Sequence, residues 1–321
     1  MTIVHARPNL IVSRCLGFEH VRYNGGIINS PFVQKLRQHA NVETVCPEVA
    51  LGLGVPRPTI RMVDDGTGVR LFQPETGRDL TNEMEAYALD YCSGVKNVDG
   101  FILKAKSPSC GIGGVKVYPM GTKVMPRGKA EGRFGGRVAR TFPNAAVEDE
   151  ESLGAPGQRE HFLNKVFMLA DFRATMSWQR PDALTCFHNR NRLLLMLYGT
   201  RALSRLSRIA AKATTANLAE SINSYWNELG AATAKPPRCA SCATVLKAAF
   251  APFADKIAGT EKAIFVSTVV AFEEHKLPMS VPVGLLRSYL ARFPNQDLES
   301  QTLLEPYPLE LIEIAESGAQ L

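Results

Sequence analysis

Three short runs of β-branched and apolar residues, Leu10-Ile11-Val12, Val42-Glu43-Thr44-Val45 and Phe101-Ile102-Leu103, each break into a loop that carries a cysteine: Cys15, Cys46 and Cys110. Runs this short, bounded by turn residues, predict strands. Helical stretches such as Asn82 to Cys92 lie between them, which gives the first half of the chain the rhythm of an α/β domain. If the three strands run parallel in one open sheet, their cysteines meet at its carboxyl edge, where α/β folds place ligands.

The pattern changes after the acidic run Glu148-Asp149-Glu150-Glu151 and the breaker cluster Gly154-Ala155-Pro156-Gly157. From Gln158 to Arg173 the residues Phe162, Leu163, Val166, Phe167, Leu169 and Ala170 recur at helical spacing, and similar patterns fill 190–230, 241–275 and 283–292. The predicted architecture is an α/β N-terminal domain with an open, mostly parallel sheet, residues 1–155, followed by an all-α helical domain, residues 156–321. No internal repeat or low-complexity tract interrupts it.

Composition narrows the class. A chain of 321 residues, 45% hydrophobic and 21% charged, is long enough for two separate cores and too apolar for disorder. No apolar stretch approaches a membrane span, and Met1 to Arg7 has no h-region, so a cytoplasmic protein with no membrane partner is expected. Seven cysteines are an odd number, which favours reduced thiols and metal ligands over a disulfide framework.

The net charge of +6 is unevenly spread. Residues 96–140 hold ten basic against two acidic residues and 156–235 eleven against five, while 236–321 holds seven against ten. Arg201, Arg205, Arg208 and Lys212 follow one another at offsets of four, three and four, which puts them along one face of a helix expected to start near Arg190. That stripe is either a rail for phosphates or an ordinary solvated face.

Three thiolates converging on one point can hold a soft metal or an iron-sulfur cluster. The competing reading makes them small buried hydrophobes. Against it, Arg14 stands beside Cys15, Pro47-Glu48 follows Cys46, and Ser107-Pro108-Ser109 precedes Cys110. Glu48 is placed either to move protons or to cap a helix, and Ser107 and Ser109 either to bind substrate or to make a turn. Cys239-Ala240-Ser241-Cys242 is a lone C-x-x-C, a weak zinc or redox signal, and reads as incidental thiols at a helix start. Cys92 and Cys186 read as packing residues, and His188 as a structural histidine.

Several islands, in order, resemble one family: Val12-Ser13-Arg14-Cys15-Leu16, Val21 to Gly26, Val45-Cys46-Pro47-Glu48-Val49, Gly52-Leu53-Gly54 with Pro56-Arg57, Thr76-Gly77-Arg78-Asp79, and Ile102-Leu103-Lys104 leading to Ser107-Pro108-Ser109-Cys110-Gly111. Over most of residues 8–150 the chain is similar to the thiouracil desulfidases. The resemblance implies a 4Fe-4S cluster held by Cys15, Cys46 and Cys110, with one iron left open to the sulfur of a thiocarbonyl. It implies a redox-neutral exchange of sulfur for oxygen, with Glu48 and a serine, Ser107 or Ser109, in proton transfer and in substrate or water activation. His161-Phe162, Ala170-Asp171-Phe172-Arg173, Phe187-His188 and the stretch from Gln301-Thr302 to Tyr307-Pro308 resemble the helical domain of transfer-RNA 4-thiouridine desulfidases. The chain departs from the helical-domain pattern at Asn191 and at Cys239 to Cys242, and from the desulfidase pattern around Arg14 and Leu16-Gly17-Phe18.

The function this implies is removal of sulfur from 4-thiouridine in tRNA, with Arg201, Arg205, Arg208 and Lys212 as RNA contacts. One alternative is a desulfidase of free thiouracil or thionucleosides. Another is a non-catalytic iron-sulfur protein that binds RNA or senses redox state, which would need a fourth ligand such as Cys92.

Overall fold

A computed structural model of the chain describes residues 4–121 and 125–312. Met1 to Ile3, Lys123 of the basic segment, and the acids Glu313 and Glu316 of the tail lie outside them. The chain forms two compact units, one spanning Arg7–Ala155, the other running from Pro156 and taking in the short segment before Arg7.

The first unit contains β1 (Asn9–Ser13), α1 (Pro31–Leu36), β2 (Asn41–Val45), α2 (Pro47–Ala50), β3 (Arg61–Asp64), β4 (Val69–Gln73), β5 (Arg78–Asp79), α3 (Thr81–Gly94), β6 (Gly100–Leu103), β7 (Val115–Pro119), β8 (Gly128–Ala130), α4 (Arg133–Thr141) and β9 (Ala146–Asp149). Four strands form one all-parallel sheet in the order β2-β1-β6-β9. Leu10, Ile11 and Val12 are all buried, as expected of an interior parallel strand covered on both faces. Ile11, Val45, Phe101 and Leu103 share a core with Met84, Ala88 and Cys92 of α3 and Phe134 and Val138 of α4.

Register decides where the loops leave. Ser13 pairs with Val45 and Val12 with Ile102, so β1, β2 and β6 end almost level, and the chain exits bearing Cys15, Cys46 and Cys110 share the carboxyl edge. The expected α/β architecture is thus present. A second sheet, β5-β4-β3-β7-β8, is mixed, with β3 and β7 its one parallel pair, and gives Met62, Leu71, Val115 and Val117 to the same core.

The second unit is helical: α5 (Pro156–Met176), α6 (Asp182–Arg190), α7 (Arg192–Leu197), α8 (Thr200–Ala211), α9 (Leu218–Ala232), α10 (Cys239–Phe250), α11 (Gly259–Glu273), α12 (Ser280–Arg292) and α13 (Gln296–Glu299). The helix expected to start near Arg190 is broken twice. Asn191 is buried, its Nδ2 donates to Asp171 Oδ2 and to the Phe187 carbonyl, both at 3.0 Å, and its Oδ1 accepts from Thr302 Oγ1 at 2.7 Å. Gly199, with φ of +116°, then turns the chain through a conformation that side-chain-bearing residues avoid. Cys92 is buried as expected, but Cys186 is exposed on α6, which corrects the reading of it as a buried packing residue. None of the described helices is long and apolar enough to cross a membrane.

His188 is buried, with its Nδ1 3.0 Å from the Tyr225 hydroxyl, which makes it a structural histidine. His161 is likewise buried, with Nδ1 3.1 Å from Tyr198 Oη. Burial, and secondarily the Lys165 ammonium, push its pKa from 6.5 down to about 4. The folded state keeps it neutral where the unfolded chain would protonate it, so this stability is present above pH 6.5 and lost as pH falls toward 4, a span worth on the order of 3 kcal/mol. Denaturant unfolding across that window should show a steeper loss in the native protein than in His161→Gln, which does not titrate. Equal losses would remove His161 as the cause.

Candidate functional site

The three exits enclose a cavity of about 410 Å³ lined by Cys15, Cys46, Cys110, Glu48, Arg57 and Ser107 among others. Each thiol is set by a different element. Cys15 follows β1, Cys46 is the N-cap of α2, and Cys110 sits in the loop after β6. Ser13 ties two exits together, its Oγ accepting from the Lys104 amide at 2.9 Å.

The Cys110 loop is seated on the N-terminus of α4. The amides of Phe134 and Gly135 donate to the Ser109 carbonyl at 2.9 Å each, that of Arg133 to Pro108 O at 3.1 Å, and that of Gly132 to Gly111 O at 2.8 Å. The helix therefore satisfies its first-turn donors with this loop. Only glycine permits the approach: a Cβ on Gly135 would stand 2.2 Å from the Cys110 carbonyl oxygen, and one on Gly132 2.6 Å from that of Ser109.

Glu48 does not cap α2. Its Oε1 accepts from Ser109 Oγ at 2.6 Å, and its Oε2 accepts from Arg57 Nε at 2.8 Å and Nη2 at 2.6 Å. Arg57 is itself fixed by donation to the carbonyls of Gly54 and Val21, each at 2.9 Å. Ser109 is fully buried, and its Oγ lies 3.0 Å from Ser107 Oγ, which also accepts from the Cys110 amide at 3.1 Å. Ser107 thus makes the turn, and Ser109 continues a chain of contacts from Arg57 through Glu48 toward Cys110 Sγ, 3.8 Å away.

Burial pushes the Cys15 thiol up to about 12, with further rises from Cys46 and Glu150. Cys46 and Cys110 are raised first by burial too, and Cys110 also by Glu48, Cys15 and Cys46. The three sulfurs are close enough to oppose one another's charge, so a cationic centre is what would let them ionise together. Among the described residues no three His, Cys, Asp or Glu side chains gather tightly enough for a single metal ion. Thiolates on one ion at about 2.3 Å would stand under about 4 Å apart. As a donor set, three thiols lining one cavity are of the soft kind that iron-sulfur clusters take.

More cations line the cavity. Arg22 and Arg61 lie over the rings of Tyr23 and Tyr118, 5.7 and 5.4 Å from their centroids, and neither has a carboxylate partner among the described residues. Lys104 pairs with Glu150, and Lys106 with Glu151. Cys92, the candidate fourth ligand, does not line this cavity; it packs in the core under α3. In the helical unit Arg201, Arg205, Arg208 and Lys212 are all exposed, but Arg205 is held by Glu228 at 2.7 Å, leaving three without a carboxylate partner among the described residues.

Residues 10–150 match the family model described as 2-thiouracil desulfurase. The uncharacterized protein YbbK of Bacillus subtilis (strain 168) is 34% identical over 113 residues, which is 32% of this chain and 74% of that protein. The chain belongs to the 2-thiouracil desulfurase family. Residues 192–308 match a second model, a protein family of unknown function, DUF1722. Among solved structures, a [4Fe-4S]-dependent thiouracil desulfidase, TudS, is 30% identical, covering 46% of this chain and 93% of that one with a TM-score of 0.35.

In the sequence Arg57 stands inside a motif without a role of its own, because its use depends on contacts with Val21 and Glu48 that only the fold creates. Gly132 and Gly135 carry no signal there at all. In this desulfurase-family unit, Gly135→Ala should lower unfolding stability by about 1–3 kcal/mol through the forced shift of the Cys110 loop. Gly113→Ala, whose added methyl would meet nothing within 4 Å, is the control for denaturant titration. Equal effects at both positions would refute the seating argument.

Proposed function

We propose that the chain is a desulfidase that converts 4-thiouridine in tRNA to uridine, using a 4Fe-4S cluster held by Cys15, Cys46 and Cys110. The observation that carries the chemistry is the convergence of three thiols and Glu48 on one cavity, with Ser109 hydrogen-bonded to Glu48 from behind its wall. Bound there, the cluster would supply an iron without a protein ligand, a Lewis acid for the departing sulfur. The overall reaction is redox-neutral: water gives its oxygen to the ring carbon, and sulfur leaves as sulfide.

Glu48 is suited to take a proton from the attacking water, since Arg57 holds one carboxylate oxygen and leaves the other at Ser109. Ser109 can pass a proton along the same contact, and Ser107 fixes its hydroxyl. The walls provided by Val21, Val45 and Ile60 limit water around the reacting carbon.

A polyanionic substrate is supported by Arg22 and Arg61 at the cavity and by Arg201 and Arg208 on the exposed face of α8 with Lys212 at its C-cap, Arg205 being available if it leaves Glu228. A desulfidase of free thiouracil or thionucleosides would use the same cavity and would not need that face.

The test is anaerobic cluster reconstitution followed by sulfide and uridine detection. Cys110→Ala should lose both iron binding and turnover. Glu48→Gln should keep its iron and lose about 10²–10⁴-fold in kcat. Arg57→Gln should also keep its iron and lower kcat more than it raises KM, because it frees the Glu48 carboxylate to turn away. Thiolated tRNA turned over no better than the free nucleoside would remove the RNA reading while leaving the desulfidase reading in place.

A further inference from the structure

The helical unit carries thiols for which desulfurisation has no use. Cys239 occupies the first position of α10, Cys242 lies one turn on, and no side chain caps the helix. Residues three apart on an α-helix have Cα atoms about 5 Å apart. That falls inside the roughly 4.4–6.8 Å that a disulfide spans.

The two thiols differ in surroundings. Cys239 is half-buried, whereas Cys242 is buried and its thiol is pushed up to about 12, first by burial and then by Cys239. The Cys239 sulfur lies 3.8 Å from Nδ1 of His275, an exposed residue just past the end of α11. An accessible sulfur beside an imidazole, at a helix start whose free amides favour an anion, with a second thiol one turn behind it, is an arrangement for thiol–disulfide exchange.

We propose that Cys239 and Cys242 are a reversible dithiol–disulfide pair that reacts with small disulfides of the glutathione type. Cys239 gives its proton to His275 and attacks one sulfur of the disulfide; that S–S bond breaks, leaving a mixed disulfide on Cys239 and releasing one thiolate. Cys242 then loses its proton to solvent and attacks the Cys239 sulfur, which forms the Cys239–Cys242 bond and releases the second thiolate. The protein loses two electrons and two protons, and the small disulfide is reduced to two thiols. The lone C-x-x-C is a weak signal in sequence; the burial contrast and His275 are what the fold adds.

The experiment treats the full-length, cluster-loaded protein anaerobically with glutathione disulfide near neutral pH and locates the products by peptide mass mapping. The native chain should lose two hydrogens on the Cys239–Cys242 peptide and regain them on reduction. Cys242→Ser should instead hold the mixed disulfide on Cys239, and His275→Asn should slow that adduct about tenfold while leaving the exposed Cys186 unchanged. The proposal is overturned if no Cys239–Cys242 link forms, if Cys242→Ser carries no adduct on Cys239, or if His275→Asn leaves the Cys239 rate unaltered. None of these results depends on whether the protein desulfurises a substrate.

Discussion

Everything in the first unit depends on the register of three parallel strands. Ser13 faces Val45 across one ladder and Val12 faces Ile102 across the other, so β1, β2 and β6 run out together and their loops turn into one space. A shift by one residue would move an exit by about 3.3 Å and turn every side chain of that strand to the opposite face. Both faces of β1 are buried, so such a slip is costly, and the same packing that stabilises the sheet fixes the spacing of the cysteines. The site inherits its geometry from the core.

That inheritance explains what could be read in the sequence. The apolar runs and the cysteines that end them are visible because strand periodicity and burial act locally, and the parallel sheet follows from them. The dual reading of Glu48 is not resolvable from its neighbours, since its carboxylate is engaged by Arg57 and by Ser109, 61 positions away, contacts that only the fold creates. Gly135 is a still clearer case. Its need for a bare Cα comes from the Cys110 carbonyl, which no pattern around residue 135 encodes. The helical unit shows the reverse difficulty: the periodicity after Arg190 is real, yet Asn191 gives its side chain to Asp171 and Thr302 and breaks the helix for a tertiary reason.

The charges around the cavity divide into those that are satisfied and those that are not. Arg57, Lys104 and Lys106 each have a carboxylate, so they fix structure more than they attract anions. Among the described residues Arg22 and Arg61 have aromatic rings and no carboxylate, and a ring retains a guanidinium without neutralising it. An unpaired cation at a cavity raises the local concentration of anions, whereas a paired one does so weakly. The exposed stripe on α8 divides in the same way once Arg205 is assigned to Glu228.

The buried thiols and the Arg57–Glu48 pair answer opposite electrostatic demands within one cavity. Without a cationic centre, burial and mutual repulsion would keep the three thiols protonated and that wall of the cavity nearly neutral. The Glu48 carboxylate, in contrast, has its countercharge built in, through two guanidinium contacts that do not depend on any cofactor. On the proposed reading this separation matters. The acid–base group is oriented before the cluster arrives and is not recruited as a ligand, because one of its oxygens is held by Arg57 and the other by Ser109. The three sulfurs would then be the soft donors left to hold a cluster, and Glu48 would stay available for proton transfer.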